Sequence, residues 1–322
     1  MTAVLQPRSS RTIDRHLVHR RQVHEVFITE VDMTTGWCTA QLPASHSYYG
    51  DTAGPVDILG LMEVCRQAVT AAAHLEWKIP FGTHFVLRQW EGSFPLDARP
   101  SQDDPPLEVQ VWVTLREHQT RRQQVRSVAS TVELFRADGK TLVGTMSFDV
   151  MFLTEETYQY LRSTRSSGTP APSSLSLSDT PSTIEPWAVG RTHPDNVLIT
   201  QAVGRGSSLM GVLRLPVRNW SIFDHPQDHA PAMALTDAAR QLVGLSEPSH
   251  GPEQQCLVWF RGEFSNYVEL DMPAVLSVRG GKDAPAGSSS HLIEIRQSGA
   301  VVATIHLGFE KHLTPFTSQE TH

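Results

Sequence analysis

Residues 58–73 read ILGLMEVCRQAVTAAA, a stretch in which apolar side chains occur on every side of a helical turn. A surface helix keeps one polar face, so this pattern indicates a helix that is buried nearly all round. The same stretch nevertheless holds Glu63, Arg66 and Gln67. Spacings of three and four residues place these side chains on one face of the helix. Because unpaired charges are not left in a dry core, we expect the three either to pair with one another or to face a cavity.

The same charged triplet occurs a second time. Residues 236–243 read TDAARQLV and place Asp237, Arg240 and Gln241 in the same order within another small, apolar segment. Each half also ends in alternating residues that flank a Gly-containing turn, which is typical of a β-hairpin. The segments that match are EVFIT (25–29) with NVLIT (196–200), AQLPASH (40–46) with LRLPVRN (213–219), and the hairpin stretches 132–150 with 292–310. The sequence therefore predicts two versions of one design.

Residues 163–186 separate the two versions. They are rich in Ser, Thr and Pro, so they cannot bury enough surface to offset their ordering entropy. We interpret them as a linker between an N-terminal domain, residues 1–162, and a C-terminal domain, residues 187–322. Each domain has an early strand, one buried helix and several antiparallel strands. A sheet that curls around one central helix is the hotdog fold, so the sequence predicts an α+β double hotdog. We expect the halves to pack as a pseudo-dimer, with one continuous sheet and the two helices side by side.

The composition argues against several classes of protein. With 27 Lys and Arg against 34 Asp and Glu, the net charge of −7 gives no indication of nucleic-acid binding. No apolar run approaches the roughly 18 residues of a membrane span, and the N-terminus lacks the apolar core of a secretory signal. The three cysteines have neither zinc nor disulfide spacing, and no glycine-rich nucleotide loop is present. We therefore expect a cytoplasmic protein without a cofactor, either a monomer or a homodimer.

Polar, titratable loops lie ahead of both helices. Such loops at a helix N-terminus suit a pocket that binds an anion or a carbonyl group. Their residues are Asp224, His225, Asp228 and His229 before the second helix, and His46, Asp51 and Asp57 before the first. His225 and His229 are four residues apart, but no third ligand is evident, so no metal site is predicted.

Two longer stretches resemble the signatures of a known family. LPASHSYYGD…VDILGLMEVCRQAVTAAAHLEWKIPFG and DHPQDHAPAMALTDAARQLV are similar to the paired signatures of the A-factor biosynthesis hotdog family of filamentous actinobacteria. The resemblance implies an enzyme that joins a 3-oxoacyl thioester, on acyl carrier protein or CoA, to a hydroxyl of dihydroxyacetone phosphate. It also implies closure of the phosphorylated ester to a butenolide or furan, in the synthesis of a diffusible γ-butyrolactone-type or furan-type signal that controls secondary metabolism.

The resemblance further implies catalytic roles for Glu63, Asp237 and Arg240. The chain departs from the family pattern at Asp237, where Glu is usual, and at Pro231-Ala232, where Pro-Gly is usual. Independently of the family, a carboxylate on a buried helix suits a general base, and the planar fork of arginine suits a phosphate. Either Arg66 or Arg240 fits the phosphate, and Arg240, one helical turn from an acid and near a His-rich loop, is the one expected to bind it. Either Gln67 or Gln241 fits the orientation of a carbonyl.

Asp237 is the expected general base, with Glu63 as its counterpart in a second or degenerate site. The titratable residues that precede Asp237 are expected to raise its pKa. The alternative is that both acids act at one pocket between the halves. The residues expected to bind substrate are His46, Arg66, Gln67, His225, Asp228, His229 and Gln241.

Other interpretations stay open at this point. Each acid–arginine pair is also explained as a structural ion pair, with Arg240 then a partner of Asp237 only. A hotdog thioesterase or dehydratase, or a non-catalytic sensor of acyl ligands, would keep the same pocket. Cys65 is interpreted as a core residue because its counterpart is Ala239. The basic stretches 16–24 and 116–126 are either solvated faces or a docking surface for an acidic carrier protein.

Overall fold

The computed structural model describes residues 11–32, 34–43, 45–52, 56–99, 107–121, 124–165, 171–246, 253–281 and 288–313. Three α-helices and twelve β-strands lie in these ranges. The helices are α1 (Ile58–Leu75), α2 (Glu155–Arg165) and α3 (Ala232–Ser246). The strands of the N-terminal half are β1 (Ile28–Asp32), β2 (Trp37–Leu42), β3 (His84–Ser93), β4 (Leu107–Arg121), β5 (Gln124–Arg136) and β6 (Leu142–Leu153). The strands of the C-terminal half are β7 (Ile199–Val203), β8 (Met210–Leu213), β9 (Glu253–Phe264), β10 (Ala274–Gly280), β11 (Ser289–Gln297) and β12 (Ala300–Leu313).

All twelve strands form one sheet in the order β1-β2-β4-β5-β6-β3-β9-β12-β11-β10-β8-β7. The C-terminal half repeats the order of the N-terminal half in reverse, and the halves join where β3 pairs antiparallel with β9. Helix α1 packs against β1, β2, β4 and β5, while α3 packs against β7 to β10 and β12. The predicted α+β double hotdog with one continuous sheet is confirmed. The side-by-side packing of α1 and α3 stays a prediction.

The β3–β9 seam pairs an aromatic residue of each half with a glycine of the other. Trp90 lies opposite Gly262, and Phe260 lies opposite Gly92. A Cβ atom on Gly92 would lie 2.6 Å from the Phe260 ring, and one on Gly262 would lie 2.7 Å from the Trp90 indole nitrogen. Because glycine has no side chain, each ring packs directly over the backbone of the glycine opposite, and both rings are buried.

Helix α1 is the buried helix that the sequence predicts. Asp57 caps its N-terminus by accepting a hydrogen bond from the Leu59 N–H at 3.2 Å. Every residue of the helix is buried except Arg66 and Leu75. Arg66 is thus the charged residue of α1 that reaches toward solvent. Neither α1 nor another helix in the described ranges is long and apolar enough to cross a membrane.

The described part of the predicted linker is attached to the C-terminal half. Helix α2 runs three residues into this segment, and residues 166–170 lie outside the described ranges. Beyond them, the Ser174 N–H donates to the Gln227 carbonyl at 2.7 Å, and the Thr183 N–H donates to the Thr200 carbonyl at 3.3 Å. Residues 171–186 therefore follow the surface of the C-terminal half, and the domain boundaries stay predictions.

Candidate active site

The N-terminal triplet forms a buried ion cluster around Glu63. Arg66 donates from Nε to Glu63 Oε2 and from Nη2 to Oε1, both at 2.8 Å. Arg20, which lies on the segment ahead of β1, donates from Nε to Oε1 at 3.0 Å. Gln67 donates to the same oxygen at 2.7 Å. We call Arg20, Glu63, Arg66 and Gln67 the N-terminal cluster.

The C-terminal triplet forms a matching cluster around the fully buried Asp237. Arg240 donates from Nε and Nη2 to Asp237 Oδ1 at 3.0 and 2.8 Å. Arg191 donates to Oδ2 at 2.7 Å and Gln241 to the same oxygen at 3.1 Å. Tyr48 of the opposite half also donates to Oδ2, at 2.9 Å. We call Arg191, Asp237, Arg240 and Gln241 the C-terminal cluster.

The second arginine of each cluster was not identified from the sequence. Arg20 and Arg191 each lie five residues before the matched strand segments EVFIT and NVLIT. Each also follows a short 3-10 helix, Arg15–Val18 or Pro186–Val189. Extension of the strand match toward the N-terminus would have aligned the two arginines, so the signal was present. Arg20, within the basic stretch 16–24, is therefore part of a cluster and not of a solvated face.

The glutamines of both clusters hold the backbone ahead of β1 and β7. In each, the amide oxygen accepts from a backbone N–H and the amide nitrogen donates to a backbone carbonyl. Gln67 contacts Phe27 N at 2.8 Å and Glu25 O at 2.7 Å, and Gln241 contacts Leu198 N and Asn196 O, both at 2.8 Å. Since each amide nitrogen also binds its cluster acid, neither side chain keeps a donor to orient a substrate carbonyl, contrary to expectation.

The arginines keep both acids ionised. Burial alone would favour the neutral carboxyl, but Arg20 and Arg66 outweigh it and lower the pKa of Glu63 to about 2. Against the same effect of burial, Arg191 and Arg240 lower the pKa of Asp237. The expectation that neighbouring groups raise the pKa of Asp237 is therefore wrong. A carboxylate so strongly paired is a weak proton acceptor. The geometry therefore favours a positioning role for both acids, which is to hold the arginines in place.

The polar loops cross between the two halves. Asp224 accepts hydrogen bonds from the backbone N–H groups of Arg21 and Gln22, the second at 3.0 Å. Asp51 accepts from the backbone N–H of Thr192 at 3.0 Å. Each carboxylate thus holds the residue that follows the second arginine of the opposite half. This crossing explains why the residues that precede Asp237 in sequence are not its charged neighbours.

The other predicted substrate-binding residues have separate surroundings. His225 is exposed, with Nδ1 3.8 Å from Asp224. Asp228 accepts from the Tyr158 hydroxyl of α2 at 2.7 Å and lies 2.6 Å from His229 Nδ1. Asp228 and His229 therefore anchor α2 to the C-terminal half.

His46 shapes the loop that carries Tyr48. Its Nδ1 accepts from the backbone N–H groups of Tyr48 and Tyr49, both at 3.2 Å. Its Nε2 lies 3.4 Å from a carboxylate oxygen of Glu25. The structure thus gives His46 a positioning contact with the loop that reaches Asp237.

The two clusters differ at the arginine of the triplet. Arg240 Nη1 donates to Asp57 at 3.0 Å, so carboxylates engage its Nε, Nη1 and Nη2. Pro231 stands at the position before α3 that corresponds to Asp57 before α1. Arg66 Nη1 contacts the Thr70 hydroxyl at a long 3.4 Å. The side chain of Arg66 is 27% exposed against 15% for Arg240, so the N-terminal cluster is the more open one.

The continuous sheet with two buried helices places the chain in the class of double-hotdog proteins. A 12:0-ACP thioesterase from Umbellularia californica matches the fold with a TM-score of 0.51 at 10% identity, over 88% of this chain and 99% of that chain. A trans-AT PKS dehydratase domain from Brevibacillus brevis matches with a TM-score of 0.50 at 11% identity, over 86% of this chain and 93% of that chain. At such identities the likeness shows the fold alone.

The sequence relatives define the family. The model of the A-factor biosynthesis hotdog domain matches residues 1–154 and 173–310. A 2-oxo-3-(phosphooxy)propyl 3-oxoalkanoate synthase of Streptomyces virginiae is 31% identical over 274 residues, which cover 81% of this chain and 85% of the relative. A protein of the same name from Streptomyces coelicolor is 25% identical over 291 residues, which cover 89% and 88%. The chain belongs to the A-factor biosynthesis hotdog family, and the resemblance of its two signatures is confirmed.

Proposed function

We propose that this chain is an acyltransferase that joins a 3-oxoacyl thioester to dihydroxyacetone phosphate. The names of its relatives describe an ester of a 3-oxoalkanoic acid with the hydroxyl of a phosphorylated oxopropanol. In such a transfer, the hydroxyl oxygen attacks the thioester carbonyl, a C–O bond forms and the C–S bond breaks. The thiol of acyl carrier protein or CoA leaves with a proton. The cytoplasm is the proposed compartment of this reaction.

The open guanidinium of Arg66 is the observation that supports this proposal. A phosphate monoester is recognised well by the planar fork of arginine. The side chain of Arg66 is 27% exposed, and its Nη1 makes one long contact with Thr70, which leaves an Nη1 N–H for a ligand. Glu63 and the Val18 carbonyl hold Nε and Nη2 in place. Arg20 adds a second positive charge to the same carboxylate. The N-terminal cluster is therefore proposed as the site of the acceptor phosphate.

The C-terminal cluster takes a positioning role in this proposal. Asp237 and Asp57 occupy the fork of Arg240, so we propose the ion-pair role for this arginine in place of the phosphate contact that the sequence led us to expect. The cluster links α3 to the start of α1 through the Arg240–Asp57 contact. Its loss would therefore weaken the packing of α3 against the start of α1.

Ring closure is a second step of the proposed reaction. The carbon between the two carbonyls of the ester is acidic, and loss of its proton lets it attack the ketone of the acceptor. Loss of water then gives a phosphorylated butenolide, and a different closure gives a furan. A thioesterase or a dehydratase would need no anionic acceptor, so the open arginine favours the transferase.

The test is to incubate the purified protein with a 3-oxoacyl thioester and dihydroxyacetone phosphate and to analyse the products by mass spectrometry. We expect a phosphorylated ester or its dehydrated ring. Arg66→Lys keeps the charge but loses the fork, so the KM for dihydroxyacetone phosphate should rise about tenfold or more. Arg240→Lys is the matched variant. Its main effect should be a lower free energy of unfolding, with little change in this KM.

Three results would contradict the proposal in different ways. Release of the free 3-oxo acid without a condensation product would identify a thioesterase. Binding of acyl ligands without turnover would identify a sensor. A raised KM in Arg240→Lys, together with an unchanged KM in Arg66→Lys, would move the phosphate site to the C-terminal cluster.

A further inference from the structure

His19 and His74 form a hydrogen-bonded pair whose tautomers are set by the backbone. His74 Nδ1 lies 2.7 Å from the Ile79 carbonyl oxygen, and His74 Nε2 lies 2.7 Å from His19 Nε2. A carbonyl oxygen can only accept, so His74 carries a proton on Nδ1, and the Nε2 of the neutral ring is then the acceptor. His19 then donates from Nε2, and its neutral ring keeps an unprotonated Nδ1. Within the described residues, no hydrogen-bond partner occupies this Nδ1.

The pair lies beside the open arginine. The Val18 carbonyl, directly before His19, accepts from Arg66 Nη2 at 3.0 Å. Arg20, directly after it, binds Glu63. His19 therefore sits between two residues that are both fixed to the N-terminal cluster. Its ring also packs edge-on against Phe85 at 4.6 Å between centroids, which limits its rotation.

The backbone of His19 is strained in a way that its counterpart avoids. His19 ends its 3-10 helix in the left-handed region with φ 52°, and Gly190 ends the matching helix of the C-terminal half with φ 70°. Glycine adopts this conformation without steric cost, whereas a residue with a Cβ does not. The imidazole is thus kept at the cluster whose arginine is open. The C-terminal cluster, whose arginine is closed by Asp57, has glycine there.

We propose that His19, oriented by His74, accepts the hydroxyl proton of the phosphorylated acceptor during acyl transfer. This inference rests on the proposed function. The proton passes from the hydroxyl to His19 Nδ1 as the oxygen attacks the thioester carbonyl and the C–O bond forms. The C–S bond then breaks, and the leaving sulfur takes the proton from Nδ1. The imidazole is neutral again, and no oxidant, reductant or further reactant is consumed.

The charges around His19 couple this step to the acceptor. Burial, followed by the charges of Arg66, His74 and His225, lowers the pKa of His19 to about 3. The ring is therefore neutral in the free protein. A phosphate bound at Arg66 offsets the positive charge of this arginine, which is the second cause of the shift, and so raises the pKa of His19 above its value in the free protein. His19 then becomes a stronger base when the acceptor is present.

The test is His19→Gly, which copies the residue of the C-terminal half. We expect kcat to fall by about 10²- to 10⁴-fold. The KM for dihydroxyacetone phosphate should change by less than about threefold, since Arg66 is untouched. Relief of the left-handed backbone should keep the melting temperature close to that of the wild type. Added imidazole should restore part of the lost rate, which a purely structural role would not allow.

Two further variants keep the test decisive. His19→Asn also tolerates the left-handed region and should show the same loss of kcat if His19→Gly folds poorly. His16→Gln changes an exposed histidine on the same segment and should retain the wild-type kcat. A wild-type kcat in either His19 variant would overturn this inference alone. No condensation product from the wild-type protein would overturn the proposed function and this inference together.

Discussion

At the scale of single residues, the residue directly before each central helix decides whether a second carboxylate binds the arginine of the opposite cluster. Asp57 stands before α1 and closes the fork of Arg240, whereas Pro231 stands at the equivalent position before α3 and offers Arg66 no carboxylate. Proline also serves well at a helix start because it needs no N–H donor there. Two copies of the same triplet can therefore carry different tasks, one structural and one open to an anion.

Glu63 should make stability depend on pH in a window that its pKa defines. Arg20 and Arg66, against burial, lower its pKa from 4.5 to about 2 in the folded protein. A lowered pKa contributes stability above the unfolded value, and this stability is lost as the pH falls toward the folded value. Glu63→Gln should cost about 3 kcal/mol of unfolding free energy at pH 7.

The measurement is urea unfolding at several pH values between 7 and 2, with Glu63→Gln beside the wild type. The variant should lose less stability than the wild type between about pH 4.5 and pH 2. Glu133→Gln, at an exposed position of β5, serves as the control and should change stability by less than about 0.5 kcal/mol. Parallel pH curves for Glu63→Gln and the wild type would show that Glu63 is not the group that titrates.

At the scale of elements, the patterns that were readable in the sequence were local ones. The hairpin turns at Asp138-Gly139 and Ser298-Gly299 have the expected left-handed glycines, because a tight turn is specified by its own residues. The all-round apolar pattern of α1 was equally local. Arg20 meets Glu63 across 43 residues and Arg191 meets Asp237 across 46, and no local pattern encodes such contacts.

The seam between β3 and β9 is an element whose packing can be tested. Gly92→Ala would place a methyl group 2.6 Å from the buried Phe260 ring, so the ring or the strand must shift. Overpacking of this kind costs about 1–3 kcal/mol, and thermal unfolding should show a lower midpoint. Gly280→Ala is the control because, within the described part of the chain, no atom beyond the two neighbouring residues lies within 4 Å of its added Cβ. Equal stability of the two variants would contradict the tight packing of the seam.

At the scale of the whole molecule, each half completes the cluster of the other. Tyr48 of the N-terminal half binds Asp237, and Arg20 reaches the Ser221 carbonyl of the C-terminal half at 3.3 Å. This exchange also explains which part of the site was mispredicted from the sequence. Residues that precede Asp237 along the chain were expected to surround it. In the fused double hotdog, however, the loop ahead of each central helix contacts the opposite half. Asp224 therefore serves the N-terminal cluster.

The two crossing carboxylates should have different effects on activity because the clusters that they support differ. Asp224 holds the segment that carries His19 and Arg20, and Asp51 holds the equivalent segment around Arg191. Each carboxylate accepts charge-assisted, partly buried hydrogen bonds from backbone N–H groups, so Asp224→Ala and Asp51→Ala should each cost about 1–3 kcal/mol in urea unfolding. If the N-terminal cluster is the reactive one, Asp224→Ala should also lower kcat, because the proton acceptor loses its fixed position. Asp51→Ala should leave the kcat of the folded fraction nearly unchanged, since the C-terminal cluster supports the fold. A greater loss of kcat in Asp51→Ala than in Asp224→Ala would instead assign the chemistry to the C-terminal cluster.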